Sequence, residues 1–586
     1  MDYSAADPTK SRFGRAPREV VLRSAASLLF LILAGLAIAT VCAWRSYPEP
    51  LDIIGSSGSG GALELLRRVP VDLVWLSLIP AFLLLFSSSP SGLAPNYLFA
   101  SFAIPVALFV FMYSFGYVPC HTLHFNDSPS YLQKVLTGTY ASNRNSGYST
   151  ILLAINRTIG IDHIAWLQFG AVVVCYLCGA WMLNSDRHKK WLAPLIAGVF
   201  LAQGVTSAFS DRILTEALFT AGLGLFAASL GALAWQARAG AQMAGVAGIV
   251  LAISTKSIGI VLVIPALLVA RFLPKEMRFR CSAPIAAVGL ATYLAMAGYN
   301  YLQTKIFAPE SFAGEVLVAH VAWMLDGAYM PKADLTRQML ATAADVVSRR
   351  PDNLTKIDSR ESLDRYVGYT SVEEGEIFWK GLYPAGASHF SSGAQENAFY
   401  LQFAISTIRA HPVPYILHSV AHFYGLWRDL GNIQTLREAT IDIRAQPLRE
   451  TVSDRQLRDS NPSSVLARYP EQAQLKAELD TQESLPLAFP ALWDHRWINS
   501  TSTIALGILS LALCALYFIP SAFALFYRTE IMIALSLNAY FAAHSLMYAS
   551  EPRYANVGIL AALFLAASFV VTSISGSRGP FERSKE

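Results

Sequence analysis

The sequence predicts an all-α polytopic membrane protein, a bundle of about twelve spans joined by extracytoplasmic loops and short helices. Three observations predict it. Over 586 residues the chain is 54% hydrophobic and only 15% charged, and its mean hydropathy is +0.39, too apolar for a soluble domain of this size. Apolar runs long enough to cross a hydrocarbon core recur along most of its length. Basic residues cluster beside those runs, as topology signals do, and the net charge of +4 gives no basic stripe for nucleic acid.

The runs fall near 22–44, 70–87, 96–117, 162–183, 191–207, 214–236, 241–255, 257–273, 281–303, 500–526, 530–549 and 555–575. Residues 1–21 form a basic N-terminal segment, and Lys10, Arg12, Arg15 and Arg18 place it in the cytoplasm. The run 22–44 is too long for a signal-peptide core and reads as a retained first span. Counting crossings from there puts Arg187–Lys190, Arg238, Lys275/Arg278/Arg280, Arg528 and the tail 576–586 inside, whereas Arg67 and Arg68 fall outside against the trend. The pair 241–255 and 257–273 reads as a tight hairpin turning at Lys256.

On this count residues 22–303 form a transmembrane core with an external loop at 118–149, and 500–575 supply the last spans. Residues 304–499 form an extracytoplasmic region of loops and short helices. Within it, 412–428 is apolar, aromatic and rich in histidine, and is placed as an interfacial helix because a crossing there would break the parity of the C-terminal spans. Six cysteines, most of them in or beside apolar runs, imply no disulfide framework, and Cys175 and Cys178 read as packing residues.

Charged groups beside such spans are uncommon and mark candidate sites. Asp127 follows the third span, with a Ser-Pro turn behind it and Tyr131 nearby; it suits a group that takes a proton from a hydroxyl, or a cap for the next helix. Arg144 and Tyr148 close the same loop. Glu216 opens a later span with Arg212 one turn before it, which fits an ion pair as well as a substrate contact. Lys256 ends a span at the outer face, where snorkelling and phosphate binding are both served. Arg553 offers a fork of donors between the last two spans, beside Tyr554. His418 and His422 stand four apart and His411 lies upstream, but the glutamate of the zinc-protease pattern is missing and no metal ligand is assigned.

The pieces Asn126-Asp127-Ser-Pro-Ser-Tyr131, Arg144-Asn-Ser-Gly-Tyr148, Asp211-Arg-Ile-Leu-Thr-Glu216, Ser254-Thr-Lys256, His411-Pro-Val-Pro-Tyr415 and Glu551-Pro-Arg-Tyr554, in that order between spans, resemble the GT-C superfamily of membrane glycosyltransferases. The protein-mannosyltransferase-like and lipid A aminoarabinose transferase-like groups are the nearest. The resemblance covers about residues 110–575 and implies a GT-C-like helix bundle in a bacterial inner membrane with its active site facing the periplasm. It implies transfer of a sugar from a polyprenyl-phosphate donor to a hydroxyl on a lipid, glycan or protein, with Asp127 as base. Lys256, Arg553 and Arg212 would hold the donor phosphate, and Glu216, Tyr131, Arg144, Tyr148 and Tyr554 would contact substrate. In these families the acidic loop usually follows the first span; here two further hydrophobic segments precede Asp127. The loop has no Asp-x-Asp or Glu-Asp pair, which leaves dependence on a divalent metal open. A transporter or flippase, or a polyprenyl-diphosphate-dependent glycan polymerase, would also use many spans and external cations.

Overall fold

A helix entered at a carboxylate packs against a second that ends beside a lysine. In the computed structural model these are Glu216–Trp235 and Ala239–Thr255, antiparallel and in intimate contact. Gly222 and Gly248 allow it: a Cβ built on Gly222 would meet Ala252 N at 2.7 Å, and one on Gly248 would meet Phe226 N at 2.7 Å. Small residues that let backbones touch are how helices associate where lipid supplies no hydrophobic drive.

The structure describes residues 128–137, 144–158, 164–184, 213–235, 239–324, 333–348, 354, 357–383, 389–390, 393–431 and 500–575. They belong to one unit, Pro119–Ala193, Gly204–Glu483 and Leu492–Glu586; the other unit, Met1–Val118, Pro194–Gln203 and Ser484–Ala491, lies outside them. Every regular element among the described residues is helical.

Among the described residues, three helices are long and apolar enough to cross a membrane: Glu216–Trp235, Arg278–Gln303 and Thr501–Phe518. The runs expected at 22–44, 70–87, 96–117 and 191–207 lie outside the described residues. The other expected runs coincide with helices, several shorter than a full span, and two expectations need correction. The run 500–526 is not one helix, because Pro520 cannot continue the backbone ladder; Ser500–Phe518 stops, and Ser521 caps Ala522–Phe526 by accepting from Ala524 N at 3.2 Å. The run 555–575 is likewise divided, into Pro552–Val557 and Ile559–Ser575.

At Lys256 the expected turn is present. Its backbone is extended between Thr255 and a helix, Ser257–Phe272, that begins and ends as 3₁₀. Gly259 makes room for the turn, since a Cβ there would lie 2.9 Å from the Ala252 carbonyl carbon. Arg528–Met547 runs beside Glu216–Trp235 in the opposite sense, with Thr529 Oγ1 donating to Gly231 O at 3.2 Å and Tyr540 packing on Phe219. Glu216, Lys256 and the segment after Met547 therefore share one end of the bundle, while Trp235 and Arg528, in cation–π contact, share the other.

Beyond that first end, Ala313–Val321, Ile377–Leu382 and Gly393–Ala410 enclose an apolar core of Val318, Val321, Ile377, Leu382, Tyr400 and Phe403. Pro412–Asp429 forms where an interfacial helix was expected, and its burial pattern is the reverse of a soluble helix. His418, Ser419 and His422 face inward, whereas Val413, Ile416, Leu417 and Val420 are more than half exposed. An apolar outer stripe of this kind matches a lipid environment.

Candidate functional site

The loop that closes α-helical packing at Ser254 is held by an asparagine. Asn145 Nδ2 donates to Ile253 O at 2.9 Å, its Oδ1 accepts from Gly147 N at 2.9 Å, and Gly147 presses on the Ser254 carbonyl so closely that a Cβ would stand 2.3 Å from it. The Arg144–Tyr148 and Ser254–Lys256 pieces, more than a hundred residues apart in the chain, thus form one surface.

Lys256 continues that surface to two more. Its Nζ lies 3.0 Å from Glu216 Oε1 and 4.6 Å from the centre of the Tyr554 ring. Arg553 stacks on the same ring from 4.4 Å, bonds the Tyr554 hydroxyl and pairs with Glu551 at 2.9 Å. His544, one turn inside, stacks on Tyr548 and lies tilted against Tyr554 at 4.4 Å. The pieces containing Arg144, Glu216, Lys256 and Arg553 are therefore joined by direct contacts.

Glu310 was not singled out by sequence reasoning, although it lies just past the end of the Arg278–Thr304 helix, where other acids drew attention. It accepts from Ser257 Oγ. Part of the residue reaches the surface, but protein packs around its carboxyl, and that burial raises its pKa above the ordinary carboxylate value; the Ser257 bond and the charges of Arg144 and Lys256 act in the opposite sense.

Arg144 Nε donates to Ser130 Oγ at 2.8 Å, and its guanidinium lies over the Tyr131 and Phe312 rings at 5.1 and 5.4 Å. Tyr131 and Tyr148 meet edge to face at 5.1 Å. Both tyrosines are buried, and Tyr148 is fully so, with its hydroxyl donating to Gln168 Oε1 at 2.8 Å. Burial raises the Tyr148 pKa well above its usual value. Tyr148, expected to contact substrate, forms the back wall of the Arg144 loop, where Leu152, Ile164, Leu214 and Leu218 pack with it. Glu216, also expected to contact substrate, is buried in its ion pair with Lys256. Asp127 and Arg212 lie outside the described residues.

A second polar cluster lies beneath the Glu551–Tyr554 segment. His418 and His422 face Glu374, with Nε2 of each at 2.7 and 3.3 Å from Oε1, and His320 Nδ1 approaches Oε2 at 3.3 Å. Tyr366 bonds His418 Nδ1 at 2.8 Å, and Ser550 N donates to His422 Nδ1 at 2.9 Å. Burial alone would raise the Glu374 carboxyl, but His320 and the three imidazole bonds outweigh it and hold it well below the usual range. Burial likewise pushes His418 down to about 3 and lowers His422. His411 is not among these residues. The sequence signal was half visible in the His418/His422 pair; His320 and Glu374 carry no local mark.

No protein-family model, curated protein or solved structure matches this chain.

Proposed function

We propose that this chain is an integral-membrane glycosyltransferase of GT-C type, moving a sugar from a polyprenyl-phosphate donor to an acceptor hydroxyl at the extracytoplasmic face of a bacterial inner membrane. The observation that carries the reading is the meeting of Lys256 and Arg553 on the Tyr554 ring, with the Arg144 loop bound to the Lys256 turn through Asn145, at one end of a bundle with apolar helices. A polyprenyl phosphate has that same division, an apolar tail that lies between helices and an anionic head that needs cations at the interface.

Arg144, Lys256 and Arg553 are matched by Glu216, Glu310 and Glu551, so the cluster is close to neutral when every acid is ionised. Burial raises the pKa of Glu310 above the ordinary carboxylate value, so its negative charge beside these cations is disfavoured. In the reaction the acceptor oxygen forms a bond to the anomeric carbon as the bond from that carbon to the phosphate oxygen breaks, with inversion. Asp127 takes the hydroxyl proton, and Lys256, Arg553 and Arg212 stabilise the charge left on the departing polyprenyl phosphate. Tyr554, held between two cations, presents a ring edge to the donor.

The test is transfer by the purified full-length chain from synthetic polyprenyl-phosphate sugars, with Asp127→Asn assayed beside it. Transfer by the wild type and a loss of at least about a hundredfold in the variant support the reading. Full activity in Asp127→Asn removes the base assignment, and failure of the wild type to bind any such donor removes the transferase reading in favour of transport.

A further inference from the structure

Three imidazoles and one carboxylate are buried together in the region between the 304 and 431 ends of the chain, each delivered by a different turn of helix. Tyr366, Thr370 and Glu374 form a stripe at four-residue intervals on Arg360–Glu376, and His418 and His422 form the facing stripe on Pro412–Asp429. His320, from Ala313–Val321, closes the third side. The ring centres of His418 and His422 are 4.3 Å apart, and His320 lies 4.6 and 5.5 Å from them. His320 and His422 have no exposed surface, and His418 and Glu374 are at most 4% exposed.

Hydrogen-bond accounting shows what is unfinished there. Glu374 accepts from Nε2 of His418, Nε2 of His422 and Nδ1 of His320. Nδ1 of His418 and of His422 are engaged by Tyr366 and Ser550. His320 Nε2 is left buried without a partner. No lysine or arginine among the described residues is ion-paired with Glu374, so an ionised carboxylate here has only imidazoles around it. Burial of a charge on those terms is costly.

We propose that His320, Glu374, His418 and His422 bind a divalent transition-metal ion, zinc by the chemistry of the set, in a closed four-ligand site. Imidazole nitrogen and carboxylate oxygen are both zinc ligands, and four protein donors that leave no open position distinguish a structural centre from a catalytic one. Ligand distances of about 2.0–2.1 Å require donor atoms about 3.3 Å apart. Nε2 of His418 and of His422 are already 2.7 and 3.3 Å from one oxygen of Glu374, and one donor atom from each of the four residues lies within 4.8 Å of all the others. Closure around an ion needs side-chain shifts on the order of an ångström, within the reach of small rotations in three imidazoles.

Binding through Nε2 moves the proton of His418 and of His422 to Nδ1. Tyr366 Oη can then accept from His418, and Ser550 Oγ, 3.1 Å away, can accept from His422. The Ser550 amide, which now donates to that same nitrogen, must turn aside. Ser550 begins the segment that carries Glu551, Arg553 and Tyr554, so the metal would clamp three helices and set the position of that segment. The site does not depend on the reaction proposed above, and its test reads metal rather than transfer.

The experiment uses the full-length protein in detergent, stripped with a chelator, given zinc alone, freed of excess by gel filtration and analysed for metal. About one zinc per chain in the wild type, falling below about a tenth of that in the double variant His418→Ala/His422→Ala, supports the site. Should the double variant not fold, the wild type decides: cobalt added to the stripped protein gives the intense visible bands of a tetrahedral site, and one equivalent of zinc abolishes them. Less than about a tenth of a zinc per chain with no such cobalt spectrum, or equal zinc in wild type and a folded double variant, overturns the proposal.

Discussion

Lys256 Nζ and Glu216 Oε1 are 3.0 Å apart, joining the end of one apolar helix to the start of its antiparallel neighbour. The carboxylate is 3% exposed and the ammonium 17%, so the pair is largely shielded from water. Removing one partner strands a charge, whereas removing both removes the problem. Lys256→Met is expected to destabilise the protein by about 3–5 kcal/mol, and adding Glu216→Gln is expected to restore most of that loss. Thermal unfolding of the wild type and the two variants in detergent measures it; equal destabilisation by the single and double variants would mean that the pair does not couple the helices.

Gly147 is pressed on the Ser254 carbonyl, while Gly170 has open space where a Cβ would go. Gly147→Ala is expected to cost about 1–3 kcal/mol and to lower transfer, because the Arg144 loop must lift off the Lys256 turn. Gly170→Ala, inside the Ile164–Asn184 helix, is expected to be neutral or stabilising by up to about 1 kcal/mol. Indistinguishable melting temperatures for the two variants would refute the close approach.

The raised pKa of Glu310 makes a prediction with a sign. A carboxyl raised on folding favours its neutral form in the folded state, so its contribution to stability is full below the unfolded carboxylate pKa of about 4.3 and is lost as pH rises through the folded value. Glu310→Gln cannot ionise. The melting temperature of the variant minus that of the wild type should therefore be flat in acid and increase as pH rises towards neutrality. A difference that is constant, or that shrinks, across that range would show the carboxyl to be unperturbed or lowered.

Arg553 uses its fork twice, on Glu551 and on the Tyr554 hydroxyl, while its plane covers the Tyr554 ring. Lysine keeps the charge and loses the geometry. Arg553→Lys is expected to lower kcat/KM for a synthetic polyprenyl-phosphate sugar by about ten- to a hundredfold, with a higher KM. Unchanged kinetics would reassign the residue to headgroup anchoring.

Several of these residues were legible in the sequence for one reason. A charged side chain at the end of an apolar run must find a partner or water, so Glu216, Lys256 and Arg553 announce themselves by position. The hairpin at Lys256 was legible too, from two short runs on either side of a lysine. The surroundings of Tyr148 were not legible, because a tyrosine next to a polar loop has the same local pattern whatever its ring faces; here its hydroxyl meets Gln168 and leucines pack with its ring. Pro520 and Gly558 divided helices that hydropathy alone had joined, since a sum over side chains does not register a missing N–H or a local break.

The amino-acid order by itself determined that apolar helices dominate this chain and that its few charges collect at their ends, because both are consequences of side-chain chemistry read locally along a backbone. Which charges face each other was decided only by tertiary structure. Glu216 meets Lys256, Arg144 reaches the neighbourhood of Glu310, and Glu374 gathers histidines from two other helices, through helix directions and close glycine contacts that bring together residues 40 to 166 positions apart. Such pairings depend on packing geometry, and no local pattern in the chain encodes them.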